Sequence, residues 1–284
     1  MELKLLSPTN DFVFKKIFGE NLAALEDFLK SLLDLPAGEY KGLKVIDSNL
    51  DREFIEDKLG ILDVKIITTS GKVIDIEVQI KPQLFIWNRV LFYTSKMVVE
   101  QVKSGYQYDK INKVISILIT DFVMIKENDA YHNRFRLYDE NTKARFPGSI
   151  EINVLELPKI QKADGTQLGN WMRFLSAKTE EDFMTVAQTS PVINEAWGMI
   201  KYLSGDERER AMAAAVEKSR MDLDSYIADA RYEGLQEGRQ EGRQEGLQGV
   251  VRNALREKMP MENIARLTGL SLEEIKALAG GLAQ

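Results

Sequence analysis

The chain of 284 residues contains no cysteine. That excludes disulfides, thiol nucleophiles and thiolate-held metal ions. Histidine is nearly as scarce. His132 is the only one, so multi-histidine zinc sites are excluded and an imidazole general base has a single candidate. Any resident metal is left with oxygen ligands, the donor set of Mg²⁺ or Mn²⁺. No apolar run approaches the length of a membrane span. The opening Met1-Glu2-Leu3-Lys4-Leu5-Leu6-Ser7-Pro8 lacks the layout of a signal peptide. These absences point to a cytoplasmic protein with no membrane partner. A positive net charge is also missing, the total being −6. Overall charge is a poor guide where charge is segregated, as it is here. Residues 51–60 hold four acids against two bases, whereas residues 81–120 hold six bases against two acids.

Hydrophobic residues make up 44% of the chain, an ordinary share for a globular protein. Its length suits one sizeable core with an appendage, or two small domains. Between residues 10 and 33 the apolar positions Phe14, Ile17, Phe18, Leu22, Leu25, Phe28, Leu29, Leu32 and Leu33 have helical spacing, which predicts a helix pair around Gly19. A first strand is predicted over residues 43–50. Residues 84–104 read as a helix with Trp87, Val90, Leu91, Thr94, Val98 and Val102 on one side. The continuous apolar run at 113–120 reads as a buried central strand. Further strands are predicted at 135–138 and 150–157. This order suits an α/β core with a mixed sheet.

Two short acidic segments carry the most information. Gly60-Ile61-Leu62-Asp63-Val64-Lys65 and Val73-Ile74-Asp75-Ile76-Glu77-Val78-Gln79 both alternate apolar with polar residues, the period of a half-buried strand. The Thr-Thr-Ser-Gly-Lys stretch between them reads as a hairpin turn. Alternation puts Asp63 with Lys65 on one face, and Asp75, Glu77 and Gln79 together on a face of the next strand. A three-residue turn over residues 69–71 places Asp63 directly opposite Glu77, whereas a two-residue turn separates them. The three-residue turn is the expectation. Paired carboxylates on a rigid sheet repel unless a cation sits between them, and a divalent metal ion is the natural candidate.

An acid followed on the adjacent strand by an acid-x-polar triplet resembles the PD-(D/E)XK nuclease superfamily. Within it, the chain resembles the Rpn family of recombination-promoting nucleases, also described as PD-(D/E)XK family transposases. Four stretches carry the resemblance: Asn10-Asp11-Phe12-Val13-Phe14-Lys15-Lys16-Ile17-Phe18-Gly19, the Gly-x-Leu-Asp-Val at 60–64, the Ile-Glu-Val-Gln at 76–79, and Asp129-Ala130-Tyr131-His132-Asn133-x-Phe135. Leu155-Glu156-Leu157-Pro158-Lys159 also fits. Their order and spacing together are specific; no single piece is. The resemblance implies a restriction-endonuclease-like mixed-sheet core flanked by helices, with an α-helical C-terminal extension. It also implies metal-dependent cleavage of DNA.

By that resemblance, Asp63 and Glu77 are the metal ligands, with the Val78 carbonyl as a third, and Mg²⁺ or Mn²⁺ is the ion. Set apart from the resemblance, the same two acids read as solvated residues on a sheet face. Gln79 departs from the superfamily lysine. It carries no charge and exchanges no proton near neutral pH, so Lys65, Lys81 and Lys96 are the candidate substitutes. Asp11 is read either as the additional acid that an early helix often supplies in this superfamily, or as a helix N-cap. Arg89, Lys96 and Lys103 recur every seven residues and form one slowly drifting helical stripe. That stripe reads either as a DNA-backbone contact or as a solvated face with Glu100 paired to Lys96. His132 is expected to be a structural, hydrogen-bonded residue.

The expected organisation is a nuclease-like domain at 1–165, a helical region at 166–233, a repeat at 234–249 and a small unit at 250–284. In the repeat, glycines 234, 238, 242 and 246 recur every fourth residue. The repeat reads as a helix that packs closely on a partner or as a flexible hinge, each internal glycine costing about 1 kcal/mol relative to alanine. A homodimer through the C-terminal helices is the expectation. In the last unit Ala265, Gly269 and Ile275 fit a helix-turn-helix frame. Glu273 and Glu274 against Lys276 suit a protein contact better than a DNA reader. A catalytically weak DNA-binding or assembly protein of transposase origin is the competing functional reading, and an RNase on the same core is a third.

Overall fold

The computed structural model describes residues 4–46, 64–102, 108–146, 150–160 and 165–280. These form two compact units, residues 1–217 and 218–284.

The first unit is built on a six-stranded mixed sheet in the order β1-β2-β3-β4-β6-β5. The strands are β1 (Lys44–Ile46), β2 (Val64–Ile67), β3 (Val73–Gln79), β4 (Val114–Thr120), β5 (His132–Arg136) and β6 (Ile150–Glu156). The β1-β2, β2-β3 and β5-β6 pairs are antiparallel, and the β3-β4 and β4-β6 pairs are parallel. Parallel neighbours need a crossover, and α3 (Ile86–Val99) supplies the one between β3 and β4. β4 is buried along its whole length, as its apolar run predicts. β5 starts three residues before the predicted strand, because its polar edge residues pair with β6 without the alternation that marks a half-buried strand.

Strand alternation divides the sheet into two faces. Ile66, Ile74, Ile76, Val78, Ile115, Ile117, Ile119 and Leu155 join one large core with α1 (Asp11–Gly19) and α2 (Leu22–Leu32). The same core takes in α4 (Gln167–Ser176), α5 (Glu180–Ala187) and α6 (Pro191–Gly205). These helices lie beyond residue 165, yet they pack with the N-terminal pair as one body. The reason is aromatic. Trp171 stands 5.3 Å from Phe18 and 6.1 Å from Phe28, and its indole N–H donates to Asp27 at 2.7 Å. Phe183 stacks on Trp197 at 4.7 Å. The opposite sheet face carries α3, seated by Ile86 and Val90 on Leu118 and by Met97 on Val73 and Val114.

At the β5 edge, on the α1 side, Glu151 is only 1% exposed. It accepts from Lys113 at 2.6 Å and Arg136 at 2.8 Å, with Arg134 at 3.5 Å and Arg145 at 3.7 Å. Burial pushes this carboxyl up, but Lys113 and Arg136 outweigh it and hold the pKa at about 2. A lowered folded-state pKa contributes stability above the ordinary carboxylate value, and that contribution is lost as pH falls toward the folded value. Urea midpoints are therefore expected to fall between about pH 4.5 and pH 2 in the wild type. In Glu151→Gln, destabilised at neutral pH, that part of the acid dependence is expected to vanish.

The second unit contains most of α7 (Glu207–Arg256), with α8 (Met261–Thr268) and α9 (Leu272–Gly280). The glycine repeat lies within α7 and is helical. Val251, Ile264 and Ile275 are buried together at the centre of a small core. Gly269 ends α8 in the left-handed conformation, φ 75°, where glycine carries no Cβ penalty. Ser271 and Glu274 cap α9 reciprocally, the Ser271 N–H donating to the carboxylate at 2.7 Å. α8 and α9 follow one another across Gly269, and Glu274 is engaged in capping.

Candidate active site on strand β3 and helix α3

The β2-β3 turn decides which side chains share the sheet face beneath α3. Val64 pairs with Ile76 and Lys65 with Asp75, and the ladder closes on a loop of residues 69–71. The Thr68 N–H donates to the Lys72 carbonyl at 2.9 Å, and the Gly71 N–H donates to the Thr68 carbonyl at 2.9 Å. Gly71 has φ 88°, and a Cβ there would stand 2.9 Å from the Asn112 side chain. Three-residue hairpins place glycine at such a position. Glu39, from a short helical turn at Ala37–Tyr40, clamps this loop. Its carboxylate accepts from Thr68 Oγ1 at 2.6 Å, Ser70 Oγ at 2.9 Å and Lys72 Nζ at 2.5 Å. Burial raises the Glu39 pKa, and these donors more than reverse that, leaving it at about 2. The odd-length loop is thus the observed one. Asp63, whose apposition to Glu77 depends on that register, lies outside the described residues.

Asp75 and Glu77 are 3% and 6% exposed. They face α3 rather than solvent. The buried stripe of α3 is Ile86, Val90, Thr94 and Met97. This corrects the predicted face: Trp87 and Leu91 point outward, 42% and 56% exposed, and Val102 lies past the helix end. Thr94 shares a 2.7 Å hydrogen bond with Ser116 on β4 and donates to the Val90 carbonyl. This polar contact fits the helix setting that the burial of Ile86, Val90 and Met97 also holds. Arg89 and Tyr93, on the shoulder of the stripe, are carried to the carboxylates. Arg89 Nη2 donates to Glu77 Oε1 at 3.1 Å, and its guanidinium lies 5.2 Å from the Tyr93 ring centroid. Gln79 Nε2 donates to the same oxygen at 2.6 Å, and Gln83 Nε2 donates to Gln79 Oε1 at 3.1 Å. Asp75, Glu77, Tyr93 and Ser116 line a narrow cavity of about 10 Å³, the size of a single water site.

The cation that meets Glu77 is therefore Arg89. Lys65 instead pairs with Glu100 at 3.0 Å, and Lys96 approaches Glu100 at 4.0 Å. Lys81 is exposed beyond the end of β3. Arg89 turns into the sheet face, away from the stripe with Lys96 that the seven-residue spacing predicts. Lys103 lies outside the described residues. Val78 buries its side chain on the α1 side. Asp11 opens α1, on the sheet face opposite α3, and the N-cap of that helix is Asn10, whose side chain accepts from the Phe12 and Val13 N–H groups. His132 Nε2 is 2.9 Å from Asn153 Oδ1, and burial lowers its pKa. It is a structural histidine.

Sequence reasoning missed Arg89 as the partner of Glu77, and it missed Asp75, Tyr93 and Glu39. Only the alternation of Asp75 with Glu77 was a readable signal. The positions of Arg89 and Tyr93 depend on the rotation of α3, and Glu39 comes from a distant turn.

A mixed six-stranded sheet with helices on both faces, and carboxylates on β3 beneath a crossover helix, defines a restriction-endonuclease-like α/β fold. The family model of the PD-(D/E)XK nuclease family transposases matches residues 8–230, and the chain belongs to that family. No curated protein and no solved structure matches the chain.

Removing one member of a largely buried ion pair leaves the other charge uncompensated. Arg89→Met is expected to destabilise the fold by about 3 kcal/mol. The double variant Arg89→Met/Glu77→Gln should recover much of that loss. Urea unfolding of the four proteins in a double-mutant cycle reads the coupling; additive losses would show that the pair does not hold α3 to β3.

Proposed function

We propose that the protein is a metal-dependent DNA endonuclease of low sequence specificity, whose cuts promote recombination. The observation that carries this reading is Glu77, buried on β3, hydrogen-bonded by Arg89 and Gln79, and inside the family-matched span. The donor chemistry fits a hard divalent ion, Mg²⁺ or Mn²⁺. The acids are on the sheet, cysteine is absent, and the one histidine is engaged with Asn153. Among the described residues no group of three potential ligands stands ready. Asp63 and Glu77, with the Val78 carbonyl, are the residues that would hold the ion. When bound, such an ion lowers the pKa of water and offsets charge on the phosphate.

The chain's own residues have distinct parts in this scheme. Gln79 orients Glu77 and is an amide donor for water or a phosphate oxygen. The Arg89 guanidinium offers N–H donors and no acceptor. It therefore supplies the positive charge that Gln79 lacks and does not act as a base. Lys65, Lys81 and Lys96 are the remaining candidates for that charge, and Asp11 for a further acid. Lys96 and Lys103 are the proposed cationic contacts to the DNA backbone, which give salt-dependent binding with little sequence preference; Arg89, expected in the same stripe, is held at Glu77.

Cleavage of supercoiled plasmid with Mg²⁺, Mn²⁺ or EDTA tests this. Nicking is expected with either metal, none with EDTA, and loss on the order of a hundredfold or more in Asp63→Ala and Glu77→Ala. Arg89→Lys is expected to keep more activity than Arg89→Met. Metal-independent background from all proteins, or no cleavage by any, moves the reading to a DNA-binding or assembly protein of transposase origin. Faster loss of RNA than DNA in a competition makes it an RNase.

No described helix is long and apolar enough to cross a membrane. A homodimer through the C-terminal helices is part of this proposal, supported by α7, which exposes Tyr226, Ile227, Tyr232 and Leu235 and keeps open space beside each repeat glycine. In a chain without cysteine, Gly238→Cys is expected to crosslink to itself under mild oxidation. A dimeric mass with no crosslink at position 238 would move the contact elsewhere.

A further inference from the structure

We infer that the outward face of α3 is a second, isologous contact between two copies of this chain. This goes beyond the nuclease reading and does not depend on it. Leu84, Phe85, Leu91, Phe92 and Val99 are 83%, 73%, 56%, 61% and 68% exposed. Leu91, Phe92 and Val99 lie on the outward face of α3, with Phe85 at its N-cap and Leu84 in the turn before it, and positions 85, 92 and 99 recur at seven-residue intervals. Asn88 and Ser95 lie between them, and the stripe holds no charge. Arg89 is turned to Glu77, and Lys96 lies toward Glu100. A nucleic-acid backbone needs cations along such a track, so the occupant this stripe fits is apolar protein.

The patch is large enough to matter. At roughly 200 Å² per aromatic side chain, Phe85, Trp87 and Phe92 alone expose about 350 Å². The three aliphatic residues take it beyond the few hundred Å² at which contiguous apolar surface marks an interaction site. Trp87 extends the patch to Phe135 of the edge strand, ring centroids 5.3 Å apart. Doubled across a two-fold, this area suits a specific interface, about 1,200 Å² or more in total. The stripe is also self-complementary. An antiparallel pair of α3 helices related about Phe92 sets Phe85 against Val99 of the second copy and Phe92 against itself, with no like charges opposed among the described residues of α3. A heptad stripe needs a facing helix of the same repeat, and a second α3 supplies one. If the nuclease reading holds, the pair also brings two Arg89–Glu77 centres into one assembly, one for each strand of a duplex.

Full-length Phe92→Cys under copper-phenanthroline oxidation tests the contact, since the chain has no other cysteine. A disulfide-linked dimer is expected at micromolar protein. It should form on the order of a hundredfold faster than from Tyr202→Cys, a position 65% exposed and away from α3. Adding Phe85→Glu, which sets a carboxylate against Val99 of the second copy, is expected to abolish that advantage. Ser95→Cys with a short bismaleimide repeats the test with Phe92 in place. Equal slow rates at positions 92 and 202, or crosslinking at 92 unmoved by Phe85→Glu, overturns the inference. The nicking assay on the same variants is scored separately, so a failed contact and a failed nuclease reading are told apart.

Discussion

The register of the β2-β3 hairpin is the constraint on which the site depends. A strand has a side-chain period of two, so a slip of one residue moves every side chain to the other face. With the loop at residues 69–71, Asp75 and Glu77 face α3, while Ile74, Ile76 and Val78 enter the large core. A one-residue slip would oppose this division with two carboxylates in the aromatic core, each costing several kcal/mol without partners. Glu39 secures the loop with donors from Thr68, Ser70 and Lys72, and Gly71 provides the backbone conformation it needs. The hydrophobic pattern and the turn chemistry agree, so the register is specified twice.

From that register the electrostatics follow. β3 presents its acids to a helix, and the helix answers with Arg89 and a Thr94–Ser116 hydrogen bond. The basic stretch after β3 is thus partly consumed internally: Arg89 by Glu77, Lys65 and Lys96 by Glu100. The same economy appears at the far edge, where Glu151 gathers Lys113, Arg134 and Arg136. Charge segregation along the sequence therefore overstates the cationic surface. A count of lysines and arginines by segment misses that long cationic side chains fold back onto buried carboxylates when such partners exist.

Much of the first unit was legible. The helix pair at 10–33, the buried strand at 114–120 and the alternating strands at 64–67 and 73–79 all follow from periodicity, because each buries one well-defined face. The face of α3 was not legible. Apolar residues surround that helix, so the pattern does not say which of Val90 or Leu91, Ile86 or Trp87, turns inward. The joining of α4–α6 to the N-terminal core was hidden too, since Trp171 and Phe18 meet only in three dimensions.

The sequence by itself determined the chemistry available: oxygen ligands only, an acid-x-glutamine strand, one histidine, and a glycine-ended helix in the small C-terminal unit. It also favoured the observed hairpin register, through the turn residues and the alternation within two strands, and Glu39 from a distant turn then secures it. Tertiary structure alone decided which cation meets Glu77 and which apolar face of α3 is left outside. Both depend on the rotation of one helix over the sheet, and that rotation is set by contacts such as Thr94 with Ser116, 22 residues apart in the chain. Local propensity carries no information about a partner at that distance.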